Sequence, residues 1–556
     1  MSLSNRSKHL LAASLLLLGV FAQSGEITVN TTSRFMIDGA RRTTIFHGVN
    51  VVYKVDPYIP TMNSTFDPQL SLNDEDIENM VKWGFNFVRL GVMWEAVERQ
   101  KGVYDDNYLS QVNTLINKLG ARGIYTMVDA HQDVFARSIC GEGMPTFYIS
   151  DDVIDHTCQG PDLPWATALY GKCVPMASFN FKKDENGNPL ISECNKNSFV
   201  RYYSTAESIS AFDMLYTNKN GLQDAFIAYW DKVSSYFAAN QYVIGYDPIN
   251  EPYPADYLKD NSIAMTPGKF DMVKLQPLYE KVYGVYQKYS NKKIMYYEPG
   301  QFPDTVGVDG GKIFPLGFTQ APGGNSTNQL QTQVLNDHSY CCQKDPTMCA
   351  TGEPPLSRSE ECLSWHKLRI GTRHRDAQRY QVPLIVSEFG ACTASMACAQ
   401  EIRSVADTCD EYQVGWAYWE FKKYRDLTTT AGQSSEGVYE DDGTLQVNKI
   451  RALARTYFKA VQGSPKYMKF NADNGVYDAV FTYDATITEP TILFKSNEYF
   501  YPNGYRVVMF NGEGMSLKAN QYQIVQRANF VNDLEIHITD AALHGQDLEV
   551  LVLPQN

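Results

Sequence analysis

The sequence predicts an α/β fold, a (β/α)8 TIM barrel with a C-terminal antiparallel β-sandwich, and three observations carry that prediction. Apolar runs alternate with amphipathic stretches from residue 43 to residue 460. Polar residues recur at the carboxyl ends of the runs, above all Glu251 in YVIGYDPINEP (242–252) and Glu388 in VPLIVSEFG (382–390). Beyond residue 463 the texture changes to short alternating runs, YMKFN, TILFK, YRVVMF, LEIHIT and DLEVLVLP, with turn residues between them. An open doubly wound sheet is the runner-up, but its glycine fingerprint for a dinucleotide is missing.

In chain order, residues 1–24 read as a signal peptide. Arg6 and Lys8 precede the apolar run LLAASLLLLGVFA (10–22), and small residues follow. That run is too short for a good membrane span, and no later one is long enough, so no transmembrane anchor is expected. Barrel strands are expected at TTIFHGVNV (43–51), FNFVRL (85–90), GIYTMVDA (123–130), VIGYDPIN (243–250), KIMYYEP (293–299), IFPLGFT (313–319), PLIVSEF (383–389) and VGWAYWEF (414–421). Helical patterns lie between most of them, at 74–84, 108–123 and 224–238; Leu109, Val112, Leu115, Ile116 and Leu119 form one such stripe. The connections 131–222 and 320–380 far exceed the usual few residues and should wall the substrate site. The barrel is expected over 25–463 and the sandwich over 464–556.

A net charge of −14 argues against a nucleic-acid ligand. The nine His include no HExxH and the Cys no zinc module, so neither a metal nor a cofactor is expected. Gly-x-Ser-x-Gly is also absent. Eleven cysteines cluster in loops, and an odd count leaves at least one thiol outside any intramolecular bridge. With the sequons at Asn30, Asn63 and Asn325 they point to a glycoprotein that is secreted or held in the lumen of the secretory or digestive pathway.

Two rim carboxylates are what glycoside hydrolysis needs, one to protonate the leaving oxygen and one to attack the sugar. Glu251 is read as acid/base and Glu388 as nucleophile. Pro252 should bias Glu251 toward an extended backbone at the strand end. Asn250 can donate to a sugar 2-hydroxyl. Arg89, or His338 or Tyr340 in NDHSY, can make the two carboxyls unequal. His131 in DAHQD, crowded by Asp129 and Asp133, is a substrate-binding or supporting candidate, and Trp419 can floor a pyranose ring. Glu298 is a third rim carboxylate; Glu95 and Glu420 also lie near strand ends, Asn50 and Lys54 are hydroxyl-recognition candidates, and Trp416 belongs in the core.

Taken together, HGVN (47–50), Arg89, DAHQD (129–133), INEP (249–252), HSY (338–340), SEFG (387–390) and YWEF (418–421) resemble glycoside hydrolase family 5. Within it the chain is similar to the endoglycoceramidases, secreted enzymes that cut the β-glucosidic bond between an intact glycan and ceramide. HQD with Val134, MWEAVE (93–98) and the sandwich are the more specific pointers. The resemblance implies retention of configuration, no cofactor, and Lys54 and Asp133 as contacts to the glucose next to ceramide. It implies a glycosphingolipid substrate in micelles or the membrane outer leaflet, and a monomer. His47 departs from the Arg that many relatives carry before this Gly. Enzymes of glucosylceramide or steryl glucoside share the same core residues and are the nearest alternative; an endo-β-glucanase fits the sandwich and HQD less well.

Overall fold

The structure is a computed structural model describing residues 26–555 apart from 64, 165, 168–170, 255–256, 301–312, 350–351 and 429–435, so the expected signal peptide lies outside the described residues. Eight parallel strands close into a barrel: β1 (His47–Val51), β2 (Phe87–Gly91), β3 (Tyr125–Asp129), β4 (Val243–Asp247), β5 (Ile294–Tyr297), β6 (Gln333–Ser339), β7 (Leu384–Phe389) and β8 (Gly415–Tyr418). Surrounding helices include α1 (Asp74–Lys82), α2 (Asp106–Ala121), α3 (Ala206–Thr217), α4 (Leu222–Phe237), α5 (Gln276–Tyr289), α6 (Ser359–Tyr380) and α7 (Met396–Tyr412). The stripe expected on α2 is buried from Leu109 to Leu119, and Asp105 caps the helix by accepting the Tyr108 N–H at 2.9 Å.

Seven of the eight expected strands fall within a few residues of their places; the sixth does not. IFPLGFT (313–319) forms no strand. Its proline has no N–H, and two following amides go to side chains instead of a ladder: Leu316 N–H to Asp376 at 3.3 Å and Gly317 N–H to Asp271 at 3.0 Å. The sixth strand is QVLNDHS, inside the stretch read as a long connection. It carries buried Gln333, Asn336, Asp337 and His338, so no apolar run marks it.

Side chains alternate in and out along each strand. On β2 the inward set is Phe87 then Arg89, and on β3 it is Tyr125, Met127, then Asp129. The first members join Phe46, Ile244, Ile294 and Tyr296 in an apolar cluster inside the amino end of the barrel. That end is closed by the antiparallel strands Thr28–Asn30 and Phe35–Ile37, which add Val29 and Met36 to the same cluster.

These two short strands also begin a seven-stranded sheet. It continues through Thr43–Thr44 and Tyr457–Val461 to Thr491–Phe494, Asp533–Ile538 and Tyr522–Gln526. A four-stranded antiparallel sheet (Gly463–Phe470, Tyr477–Tyr483, Asp547–Pro554, Tyr505–Asn511) completes the sandwich around Phe458, Tyr477, Phe481 and Leu493. The sandwich therefore uses a strand before residue 463 and three from the N-terminal segment. It meets the barrel where the Tyr457 ring stacks on His47 at 3.6 Å.

Five disulfides pin the loops: Cys140–Cys194, Cys158–Cys173, Cys341–Cys362, Cys342–Cys349 and Cys392–Cys398. Cys409 is the free, buried thiol that the odd count required. Such bridging is consistent with an oxidising, secretory environment. Among the described residues no helix is long and apolar enough to cross a membrane. Asn63 and Asn325 are exposed, whereas Asn30 is half-buried and accepts the Thr32 N–H at 2.9 Å.

Candidate active site

Arg89, fully buried in the middle of β2, organises the carboxyl end of the barrel. Its guanidinium lies 2.9 Å from Asp247 and 3.1 Å from each of Asp129, Glu298 and Glu388, and it donates to Asn250 Oδ1 at 2.8 Å. One cation among four carboxylates is held fully charged, because their fields outweigh the burial that opposes its charge. Strand register supplies this geometry: Asn50 pairs with Arg89, Gly91 with Asp129, and Asp129 with Asp247 across β1 to β4.

Glu251 does not take the extended backbone that Pro252 suggests. It sits in the left-handed region at φ 40°, a strained conformation for a side-chain-bearing residue. Local bonds hold it there: its N–H donates to Glu298 Oε2 at 3.1 Å, and Gln132 Nε2 donates to the carbonyls of Asn250 at 2.7 Å and Glu251 at 3.3 Å. Its side chain is 24 % exposed, against 9 % for Glu388.

Glu388 accepts from Arg89 Nη1 at 3.1 Å and from the Tyr340 hydroxyl at 2.7 Å. A register shift between Asp337 and His338 places His338 opposite Glu388. His338 Nδ1 then meets Glu251 Oε1 at 2.8 Å, and Nε2 meets Ser387 Oγ at 3.2 Å and Glu298 at 3.3 Å. The sequence left His338 and Tyr340 as alternatives; the fold uses both, one on each glutamate. Oxygens of Glu251 and Glu388 and a ring nitrogen of His338 all lie within 4.8 Å of one another. Burial pushes Glu388 up, against the pull of His338 and Arg89. Burial also opposes charge on His338, but Glu298, Glu388 and Glu251 raise it well above the ordinary histidine range. Glu298 runs the other way: burial would raise it, yet His338 and Arg89 hold it down at about 2.

His131 faces Asp129 at 2.8 Å and Asp133 at 3.4 Å, and its ring stacks on Trp419 at 5.1 Å. Burial opposes its charge, but Asp129 and Asp133 raise it to about 9. Lys54 bonds Asp133 at 2.7 Å, Asp426 at 3.1 Å and Glu142 at 3.3 Å, and its ammonium lies 4.7 Å over the Trp419 ring. Asp133 and Glu142 belong to the long 131–222 connection, which also sends the Tyr203 hydroxyl to Asp133 at 3.5 Å. The connection returns directly onto HQDV: a Cβ at Gly143, whose φ is 105°, would lie 2.2 Å from the His131 carbonyl. Trp419 Nε1 donates to Glu436 at 3.0 Å.

The other candidates take these places. Asn50 is fully buried and donates to the Ser387 carbonyl at 2.9 Å, so it braces the frame and cannot meet a hydroxyl. Glu298, equally buried, supports Arg89 and the Glu251 amide from below. One amide N–H of Asn250 is taken by the Gln132 carbonyl at 3.0 Å. Glu95 accepts the Gly143 N–H at 2.8 Å, away from the catalytic pair. Trp416 is core, as expected, and the neighbouring His47 is uncharged because burial, Arg455 and Lys459 all push it down. Sequence reasoning missed Asp247, Gln132, Glu142, Asp426 and Ser387. A charged Asp247 inside an apolar run was the available signal for the first.

Four sets of three Cys, His, Asp or Glu among the described residues are close enough to share an ion. Two contain disulfide cysteines and one is Glu251–His338–Glu388. The last, Glu420–Asp426–Glu436, is buried, and neither Glu420 oxygen has a hydrogen-bond partner among the described residues.

An eight-stranded parallel barrel carrying facing glutamates at the ends of its fourth and seventh strands defines a barrel glycosidase. The chain belongs to glycosyl hydrolase family 5: the cellulase (glycosyl hydrolase family 5) model matches residues 53–174 and 199–425, and the family's C-terminal domain matches 455–539. Similar proteins include an endoglycoceramidase of Cyanea nozakii, 27 % identical over 90 % of both chains. One of Hydra vulgaris is 28 % identical over 89 % of this chain and 86 % of its own. Endo-glycoceramidase II from Rhodococcus sp. shares the fold at TM-score 0.67 and 20 % identity, over 94 % of this chain and 100 % of that one.

Proposed function

We propose that this enzyme hydrolyses the β-glucosidic bond between the intact oligosaccharide and ceramide of glycosphingolipids, with retention of configuration. The observation that carries the mechanism is the approach of Glu251 and Glu388 oxygens to within 4.8 Å, bridged by His338. Retaining glycosidases hold their carboxyl groups about 5–5.5 Å apart and inverting ones about 6.5–9.5 Å. Glu388 attacks the anomeric carbon of the glucose while Glu251 protonates the glycosidic oxygen. The C–O bond to ceramide breaks, and a glycosyl–Glu388 ester and free ceramide result. Glu251, now a carboxylate, takes a proton from water whose oxygen releases the glycan from Glu388. Arg89 and the Tyr340 hydroxyl hold and aim Glu388, His338 and Arg89 favour its charged form against the burial that raises it, and the His338 cation compensates charge passing between the glutamates. Trp419, Lys54, His131 and Asp133 line the glycan side.

The cnidarian endoglycoceramidases, similar along nearly their whole length, support the choice of substrate. Five disulfides and the apolar leader support secretion or residence in a secretory or digestive lumen, with glycans at Asn63, Asn325 and Asn30. Thin-layer chromatography of products from ganglioside, lactosylceramide, glucosylceramide, steryl glucoside and cellooligosaccharides tests the proposal. Intact glycan plus ceramide is expected from the first two. Cleavage confined to glucosylceramide or steryl glucoside would move the assignment to a monoglucosyl-lipid β-glucosidase, and cleavage of cellooligosaccharides alone would defeat both.

A further inference from the structure

His338 and Tyr340, which touch the two glutamates, stand at the carboxyl end of β6, where His338 pairs across to Glu388 and Tyr340 lies just past the last paired residue, Ser339. Helix α6 adds a second hold on this strand end. Its residues Cys362, Trp365, His366 and Arg369 follow the spacing i, i+3, i+4, i+7 and so form one stripe. They meet four consecutive residues of the strand end in reverse order. Cys362 is bonded to Cys341. Trp365 Nε1 donates to the Tyr340 carbonyl at 2.9 Å. His366 Nδ1 meets the Ser339 hydroxyl at 2.8 Å. Arg369 donates from Nε to the His338 carbonyl and pairs with Asp337 at 2.6 Å. Beneath His366, its Nε2 meets Glu401 of α7 at 2.7 Å. A carboxylate only accepts, so Nε2–H donates to Glu401, and Nδ1 is the ring atom that meets Ser339.

All of these side chains are buried, and the proposed chemistry uses none of them. A serine, a histidine and a glutamate stand in line as in a hydrolytic triad, but the Ser339 side chain is fully buried. The chain runs to the backbone between His338 and Tyr340. We propose that this stripe of α6, locked by the Cys341–Cys362 disulfide and stiffened through His366 by Glu401, positions His338 and Tyr340 against the catalytic glutamates. The inference rests on the glycosidase reading above. It makes turnover, and not merely stability, sensitive to one disulfide of five.

The test compares wild type with Cys341→Ser/Cys362→Ser and with the control Cys158→Ser/Cys173→Ser, whose bridge lies in the 131–222 connection. Steady-state kinetics on an aryl β-lactoside and hydrogen exchange of the peptide over 336–343 are read on each. Loss of the 341–362 bridge should lower kcat about tenfold or more, since small misplacements of catalytic groups carry such costs. KM should stay within about twofold, and exchange at 338–342 should rise while β2 to β4 stay protected. The control should leave that exchange unchanged and cost clearly less kcat than loss of the 341–362 bridge. His366 offers a second arm: Asn reaches the Nδ1 position and can keep the Ser339 bond, whereas Gln reaches Nε2 and keeps only Glu401. His366→Asn should therefore retain clearly more kcat than His366→Gln. Unchanged exchange at 338–342 without the bridge, equal kcat in both disulfide variants, or equal loss in Asn and Gln would each overturn the proposal. A wild type with no glycosidase activity would fail the functional reading, and exchange would then decide the positioning claim alone.

Discussion

The amino and carboxyl ends of the barrel are lined by the same strands, two residues apart, yet they are built from opposite materials. Phe87 and Arg89 share the inward face of β2, as do Met127 and Asp129 on β3. At the amino end Phe87, Tyr125, Met127 and Tyr296 close up with Met36 from the N-terminal strands, and burial alone stabilises the layer. At the carboxyl end Arg89, Asp129, Asp247, Glu298 and Glu388 are equally hidden from water, and each would be costly there without its partners. The lesson is that burial does not distinguish the two layers; the direction of the side-chain dipoles and charges does. One end specifies the fold, and the other holds a prearranged field in which a glutamate can attack.

The largest expected effect lies at the polar end. Glu388→Ala should lower kcat on the order of 10⁴-fold or more with little change in Tm, and azide should restore part of the reaction. Glu251→Ala should cost about 10²–10⁴-fold on glycolipid but much less on substrates with activated leaving groups, which need little protonation. Equal losses for both variants on every leaving group would reverse the division of roles.

A sharper test uses neighbours on one strand. Arg89→Ala leaves four buried carboxylates without their cation and should cost ~3–5 kcal/mol by denaturant unfolding, together with nearly all activity. Phe87→Ala should cost a similar ~3–5 kcal/mol by opening a cavity, while the folded fraction keeps kcat within about twofold of wild type. If Phe87→Ala lost as much turnover as Arg89→Ala, the two layers would not be separable.

This contrast also explains what the sequence made legible. Strands with an apolar inward face at the amino end stood out as runs, and their last residues pointed to Glu251, Glu388, Arg89 and His131. Strand β6 was missed because Gln333, Asn336, Asp337 and His338 serve the polar layer, leaving no run to see, while Ile313–Phe318 mimicked one through residues that pack outside the sheet. Glu298 was found as a rim carboxylate, but its place beneath Glu251 depends on the turn at φ 40° that local preference argues against. Asp426 and Glu142 reach Lys54 from loops far apart in the chain, a meeting that no periodicity encodes.

Titration should separate the ends further, since only the polar layer responds to pH. His131 is raised from 6.5 to about 9, so its contribution to stability is complete below 6.5 and is lost as pH rises through 9. Glu298 is lowered from 4.5 to about 2, so its contribution is complete above 4.5 and is lost as pH falls through 2. Both are therefore in force between 4.5 and 6.5. His131→Gln should flatten the alkaline fall in Tm, and Phe87→Ala should shift the whole profile without changing its shape. A profile whose alkaline limb was unaltered by His131→Gln would locate that dependence elsewhere.

The smallest effect concerns Glu420, a buried carboxyl that lacks the pairing of its neighbours. It is buried beside Asp426 and Glu436, and both its oxygens lack a hydrogen-bond partner among the described residues. Burial first, and then Asp426 and Glu436, push it well above the ordinary carboxyl range, so the folded chain favours its protonated form. An acid raised on folding weakens the folded state as pH climbs above its unfolded value, because the unfolded chain gives up the proton more readily. A neutral amide of the same shape carries no such penalty. Glu420→Gln should thus match wild type near pH 4 and exceed it by about 1 kcal/mol or more near pH 8, read as denaturant midpoints at the two pH values. Destabilisation at pH 8 would mean that Glu420 is ionised and paired after all.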